Sequence, residues 1–146
     1  MLNQSKAFSY LNFFLILSFT ILLLRIILNI HIGLPLHFDE AQYWDWSQNL
    51  DWGYFSKPPL LAFLIRVVTE LCGNGENCIR SLSPFLHFLT SLIICYSVHL
   101  LTKSFKKALL GSFLYLLMPG ISFSSFLISD KESPIDLSLF ILLFFR

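Results

Sequence analysis

From Ala7 to Leu24 the chain reads AFSYLNFFLILSFTILLL without a charge, and the apolar run continues through Arg25 to Ile30. A hydrocarbon core takes roughly 20 helical residues to cross. Inside it, every backbone N–H and C=O has to be satisfied by the spanning segment itself. The run therefore predicts a membrane-spanning helix over about 8–30, and the rest of the chain must fold around a segment that prefers lipid to water. A cleaved signal peptide is the rival reading, because Lys6 precedes the run. The stretch is too long for a signal h-region, however, and no small-x-small step follows it.

The remaining sequence agrees with a lipid environment. It is 55% hydrophobic and 13% charged, with a mean hydropathy of +0.70, which places it outside the range of ordinary soluble domains. A second span is predicted over 83–101 and a third over 108–128, the latter interrupted by Pro119-Gly120. Spans tolerate such a step when neighbours satisfy the backbone groups it frees. IDLSLFILLFFR, over 135–146, opens like a fourth span and then stops, short of the roughly 17–25 residues a crossing requires; this reads as a chain cut within a helix. PPLLAFLIRVVTEL, Pro58 to Leu71, carries Arg66 and Glu70. It predicts a shorter helix opened by proline, lying in the interface or against other helices. The expected fold is all-α: polytopic transmembrane helices with amphipathic juxtamembrane helices in a first outer loop over about 31–80.

Charge sets the topology. Lys103, Lys106 and Lys107 form the strongest cationic cluster beside any span, and the positive-inside rule puts them in the cytoplasm. Counting outward, the N-terminus is also cytoplasmic, while the loop 31–80 and the short loop SDKESP, Ser129 to Pro134, share the outer face. Arg25, near the outer end of the first span, is expected to snorkel outward. With a net charge of +1 and no basic block, nucleic acid is not a partner. A transporter reading finds little charge within the spans beyond Arg25 and Arg66. Cys72 and Cys78 flank the turn GNGEN, where a disulfide forms if the loop meets an oxidising compartment; free thiols are the alternative. Cys95 reads as packing. His31, His37, His87 and His99 have no partner at metal-ligand spacing and read as structural.

One island stands apart from this apolar background: FDEAQYWDWSQNLDWGYFSKPPL, Phe38 to Leu60. An interfacial belt explains its Trp and Tyr residues, on a helix from about Asp39 to Leu50 lying at headgroup level. It explains less well the adjacent carboxylates of Asp39 and Glu40, or Lys57 beside two prolines. Paired acids near a low-dielectric surface suit a general base or a cation site. At helical spacing Asp39, Tyr43 and Trp46 share one face, which would direct Asp39 with the aromatics toward a sugar ring or headgroup, while Glu40 caps or pairs elsewhere. Both acids also complement the dipole of a helix start.

The order DEAQYWDWSQNLDWGYFSKPPL, then IRSLSP opening a span, then MPG and SDKESPIDLSLF, resembles the N-terminal part of bacterial polytopic glycosyltransferases of the GT-C fold. These are related to dolichyl-phosphate-mannose protein mannosyltransferases and lipid A aminoarabinose transferases. The resemblance runs over essentially the whole chain, and its most specific elements are the Asp-Glu pair after the first span and the Lys-Pro-Pro closing the same loop. It implies inverting transfer of a sugar from a polyprenyl-phosphate carrier to a lipid, glycan or protein acceptor, on the outer face of a bacterial cytoplasmic (inner) membrane.

The same resemblance implies roles. Asp39 is the catalytic base or orienting carboxylate, and Glu40 is its supporting acid. Lys57 contacts the carrier-lipid phosphate, a compact charge suited to a leaving phosphate. Arg80 matches the family's Arg at the outer start of a span, assigning it to the donor phosphate; an interfacial anchor is the alternative. In the second outer loop either Asp130 or Glu132 takes the place of the family's acid, or both belong to a solvated loop. Ser56 stands where some relatives place a metal-site Glu before the Lys, which argues against a divalent metal, and no cofactor is called for. Because relatives are several times longer, the chain is expected to be an N-terminal fragment, inactive alone. The competing class is a small non-enzymatic membrane protein whose aromatic loop sits at the interface.

Overall fold

The structure, a computed structural model, describes residues 4–33, 36–54 and 59–124. Among these residues it is helical, with no strand: α1 (Gln4–Ile32), α2 (Phe38–Gln48), α3 (Leu60–Cys72), α4 (Glu76–Thr102), α5 (Phe105–Leu117) and α6 (Pro119–Ser124). Two helices are long and apolar enough to cross a membrane, over Phe8–Ile32 and Glu76–Thr102. The expected segment 135–146 lies outside the described residues.

Three element boundaries differ from their sequence expectation, each for a local reason. α4 starts well before the apolar stretch at residue 83, because Gly75 in extended conformation caps a polar first turn that hydropathy does not register as helix. Pro84 then falls inside α4, where it cannot donate to the carbonyl of Arg80 four residues back. The third apolar stretch is a helix only to Leu117. Proline disfavours helical geometry in the residue before it; Met118 accordingly adopts φ −61°, ψ 129°, and the chain restarts as α6 at Pro119.

Two apolar clusters organise the molecule. In the first, Tyr43 of α2, Leu61 and Ile65 of α3, and Ile79, Leu82 and Leu86 of α4 are buried together, with Trp44, Trp46 and Val68 packed around them. This cluster fastens α2 and α3 to the N-terminal half of α4. In the second, Phe14 of α1, Cys95 of α4, and Ala108 and Leu109 of α5 pack with Phe105 and Phe113. Helices in lipid gain nothing from hiding oil in oil, so association relies on close packing and hydrogen bonds. Fully buried Ala108 and Ser112 let α5 approach α4 closely, and their hairpin turns at Lys103, whose φ of 50° is left-handed.

The sequence expectation for Arg25 is overturned here. Instead of snorkelling outward, its side chain turns into the bundle, where the residue is 6% exposed. Its Nη2 donates to the Leu116 carbonyl at 2.6 Å and to Ser122 Oγ at 3.1 Å. The physical reason is the break at Pro119, which leaves carbonyls at the end of α5 without helical partners; a guanidinium placed at a helix C-terminus satisfies the buried Leu116 carbonyl and opposes the dipole. Beside it, His87 Nδ1 meets Tyr115 Oη at 2.8 Å and His87 Nε2 meets Ser124 Oγ at 3.2 Å, while Ser83 Oγ donates to the Ser124 carbonyl. His87 is thus a satisfied interior residue. We expect Arg25→Met to lower stability by about 1–3 kcal/mol, the cost of an orphaned buried acceptor, read as a lowered melting midpoint in lipid nanodiscs together with faster hydrogen exchange confined to residues 114–124.

Candidate functional site

The island folds as α2 followed by a return segment, and its sequence explains both. Asp39 and Glu40 occupy the first turn of α2, where exposed N–H groups favour negative charge. Glu40 also accepts a hydrogen bond from the His37 backbone N–H at 2.8 Å, the returning half of a capping box. After α2 the chain doubles back: the Tyr54 ring stacks on Trp46 with centroids 4.4 Å apart and planes 4° from parallel. Tyr54 Oη then donates to the Trp46 carbonyl at 3.0 Å and accepts from the Asp51 N–H at 3.2 Å.

Glu40 meets Arg80 across 40 residues of sequence. Arg80 Nη2 lies 2.8 Å from Glu40 Oε2, and its Nε approaches both carboxylate oxygens at 3.3 and 3.4 Å. The side chains are 0% and 4% exposed. A buried ion pair holds only when its geometry is good and its remaining donors and acceptors are served. Here the fork of the guanidinium and the capping N–H of His37 share the carboxylate between them. By contrast, the Arg66–Glu70 pair on α3, at 2.7 Å, is largely solvated and of the kind that contributes little; Arg66 also reaches the Ser47 carbonyl at the end of α2, at 3.4 Å.

Of the residues singled out by sequence, the structure brings Glu40 and Arg80 together and sets half-buried Asp39 beside them on the first turn of α2. Lys57, Asp130 and Glu132 lie outside the described residues. The aromatic face expected to point toward a ligand does not: Tyr43 is fully buried in the apolar cluster and Trp46 packs against it edge-on, with centroids 5.5 Å apart. Exposed aromatic surface comes instead from Trp52, 92% exposed. Arg80, matched to a donor-phosphate role, is engaged by Glu40. Among the described residues no group of three His, Cys, Asp or Glu side chains is arranged to hold a metal ion. The choice left open for Cys72 and Cys78 resolves as a disulfide, with Cα atoms 6.0 Å apart.

Sequence reasoning missed two things. One is the cooperation of Arg25 with the α5–α6 break, for which the signal was present as a charge in one apolar stretch and a proline in another. The second is the commitment of Glu40 to a partner, which no local spacing announces.

No family model and no solved structure matches the chain. Among curated proteins, lipid A galacturonosyltransferase RgtD of Rhizobium johnstonii is 37% identical to it over 74 residues. That is half of this chain, narrower than the whole-chain resemblance, and 15% of the relative. The chain thus spans a small part of the length of the protein it matches. The similarity and the two apolar helices together support a glycosyltransferase-like membrane protein.

Proposed function

We propose that this chain forms the N-terminal part of a GT-C-type integral-membrane glycosyltransferase, which moves a sugar from a polyprenyl-phosphate donor to a lipid, glycan or protein acceptor outside a bacterial inner membrane. The observation that carries this reading is the 37% identity to a lipid A galacturonosyltransferase. An acid beside a buried, preorganised ion pair at the start of a loop helix supports it. The multi-pass topology, with a cytoplasmic N-terminus and a periplasmic loop over 31–80, belongs to the same proposal. A disulfide in that loop suits an oxidising compartment.

In the proposed reaction an acceptor hydroxyl attacks the anomeric carbon on the face opposite the phosphate. Its proton passes to the carboxylate of Asp39, and the bond from sugar to phosphate breaks with its electron pair going to the phosphate oxygen. The anomeric configuration inverts, and polyprenyl phosphate departs. Phosphate is already a competent leaving group, so charge stabilisation matters more than acid catalysis; Lys57 supplies that charge. Glu40 and Arg80 act on the site by fixing α2 rather than by touching substrate. Asp130 or Glu132 supplies the acid of the second outer loop.

The test uses membranes from cells expressing the complete gene that contains this sequence. Supplied with polyprenyl-phosphate-linked galacturonic acid and lipid A, they should yield acceptor carrying one added uronic acid by mass spectrometry. Absence of product with this donor and with polyprenyl-phosphate mannose, aminoarabinose and glucose, beside an active control transferase, would remove the enzyme reading.

A further inference from the structure

Three consecutive residues of α4 are tied to three different things. Cys78 is bonded to Cys72 at the end of α3, Ile79 is fully buried in the apolar cluster with Tyr43, and Arg80 holds Glu40 of α2. The turn between the bonded cysteines contains Gly73, with φ 90°, and Gly75, the N-cap of α4. Neither has an atom within 4 Å of where a Cβ would stand, so no other part of the molecule packs against the turn at these two glycines. Glycine-rich connections sample many conformations, and a cross-link acts by removing them. The ion pair, for its part, tolerates little displacement, because a buried charge that loses its partner is costly.

We propose that the Cys72–Cys78 disulfide is a positioning element of the Asp39 site, acting through Arg80 and Glu40, and that the site is therefore sensitive to thiol reductants. The inference rests on the glycosyltransferase reading for what the site does, and on the geometry for the coupling. Cys72 is exposed and Cys78 half-buried, so the bridge is open to attack by a thiolate. A dithiol reductant exchanges with it in two steps: the Cys72–Cys78 bond breaks, two electrons and two protons pass to the cysteine sulfurs, and the reductant leaves as its own disulfide. The released turn then loosens the first turn of α4, Arg80 loses its fixed register on Glu40, and the start of α2, with Asp39, is no longer held in one place. Cys95 is buried in the helix bundle away from this turn and takes no part.

The full chain in lipid nanodiscs, with and without dithiothreitol, provides the test. Carboxylates are labelled with a carbodiimide and glycinamide and quantified by peptide mass spectrometry, with alkylation of Cys72 and Cys78 confirming reduction. Glu40 should be protected in the oxidised protein and label roughly tenfold faster after reduction, as local opening exposes it, while exposed Asp45 and Glu70 label equally in both states and hydrogen exchange at residues 86–95 stays unchanged. In Arg80→Gln, Glu40 should already label at the faster rate before reduction, and reduction should add little. Equal protection of Glu40 after confirmed reduction overturns the proposal, as does a parallel rise in exchange at residues 86–95, which would mark the bridge as a general stabiliser. Labelling is read whether or not sugar is transferred, so a failed transfer assay bears on the functional reading and not on the coupling.

Discussion

Asn in place of Asp39 should lower sugar transfer by roughly 10²–10⁴-fold, the usual range for removing a positioned general base, with little change in the fold. The two parts of that expectation are separable because Asn has nearly the shape of Asp but cannot take a proton. At the second position of α2 the lost negative charge forfeits about 0.3–1 kcal/mol of favourable interaction with the helix start, too little to unfold the loop. The loss should therefore fall on kcat, with KM for the donor nearly unchanged, as for an interaction made only in the transition state. Asn at exposed Asp45, six residues along the same helix, removes an equal charge without the proposed chemistry and should leave turnover within a factor of about two, as for a surface substitution. If Asp39→Asn and Asp45→Asn behave alike, Asp39 is a helix-start residue and the base must be sought in another acid.

What the sequence disclosed and what it withheld divide along the range of the interactions. α1 was legible because an uncharged apolar run has few alternatives in lipid, and α3 because proline marks its start and its apolar segment is too short to cross a membrane. The first turn of α2 was legible from two adjacent acids, which suit a helix N-terminus wherever one occurs. Periodicity placed Asp39, Tyr43 and Trp46 on one face but could not say which way that face looks. Tyr43 is in fact part of the core between α2, α3 and α4, and a residue's partner across that core leaves no trace in its neighbours along the chain. The same limit hid the Glu40–Arg80 pair, separated by 40 residues, and the Arg25–Leu116 bond, separated by 91. Arg25 was misplaced by a rule for helix ends, although it stands in a bundle where a second helix breaks. A charge within an apolar helix and a proline that breaks another are each expensive, and together each offsets the other.

Removing Arg80 should be far more damaging than removing the pair. In Arg80→Met the carboxylate of Glu40, fully buried, keeps only the His37 N–H among its hydrogen bonds described above. Stranding one member of a buried pair typically costs about 3–5 kcal/mol, and for a chain of this size that corresponds to a fall in melting midpoint on the order of 10 °C. Glu40→Gln is milder, since the amide still fits and its oxygen still accepts from Arg80 and His37, but the guanidinium loses the negative charge of that carboxylate. The double variant Glu40→Leu, Arg80→Met leaves no charge stranded and extends the cluster of Tyr43, Ile79 and Leu82 that lies beside it. Replacing a buried pair by apolar residues of similar volume is often neutral or stabilising, so the double variant should recover most of the loss from Arg80→Met, a coupling readable as a double-mutant cycle. Stability and function should then part company. With the capping carboxylate and the Glu40–Arg80 pair both gone, the first turn of α2 is held less firmly, and transfer should stay depressed in a protein that melts nearly as high as the original. Full activity in the double variant would mean that the pair contributes nothing to placing Asp39.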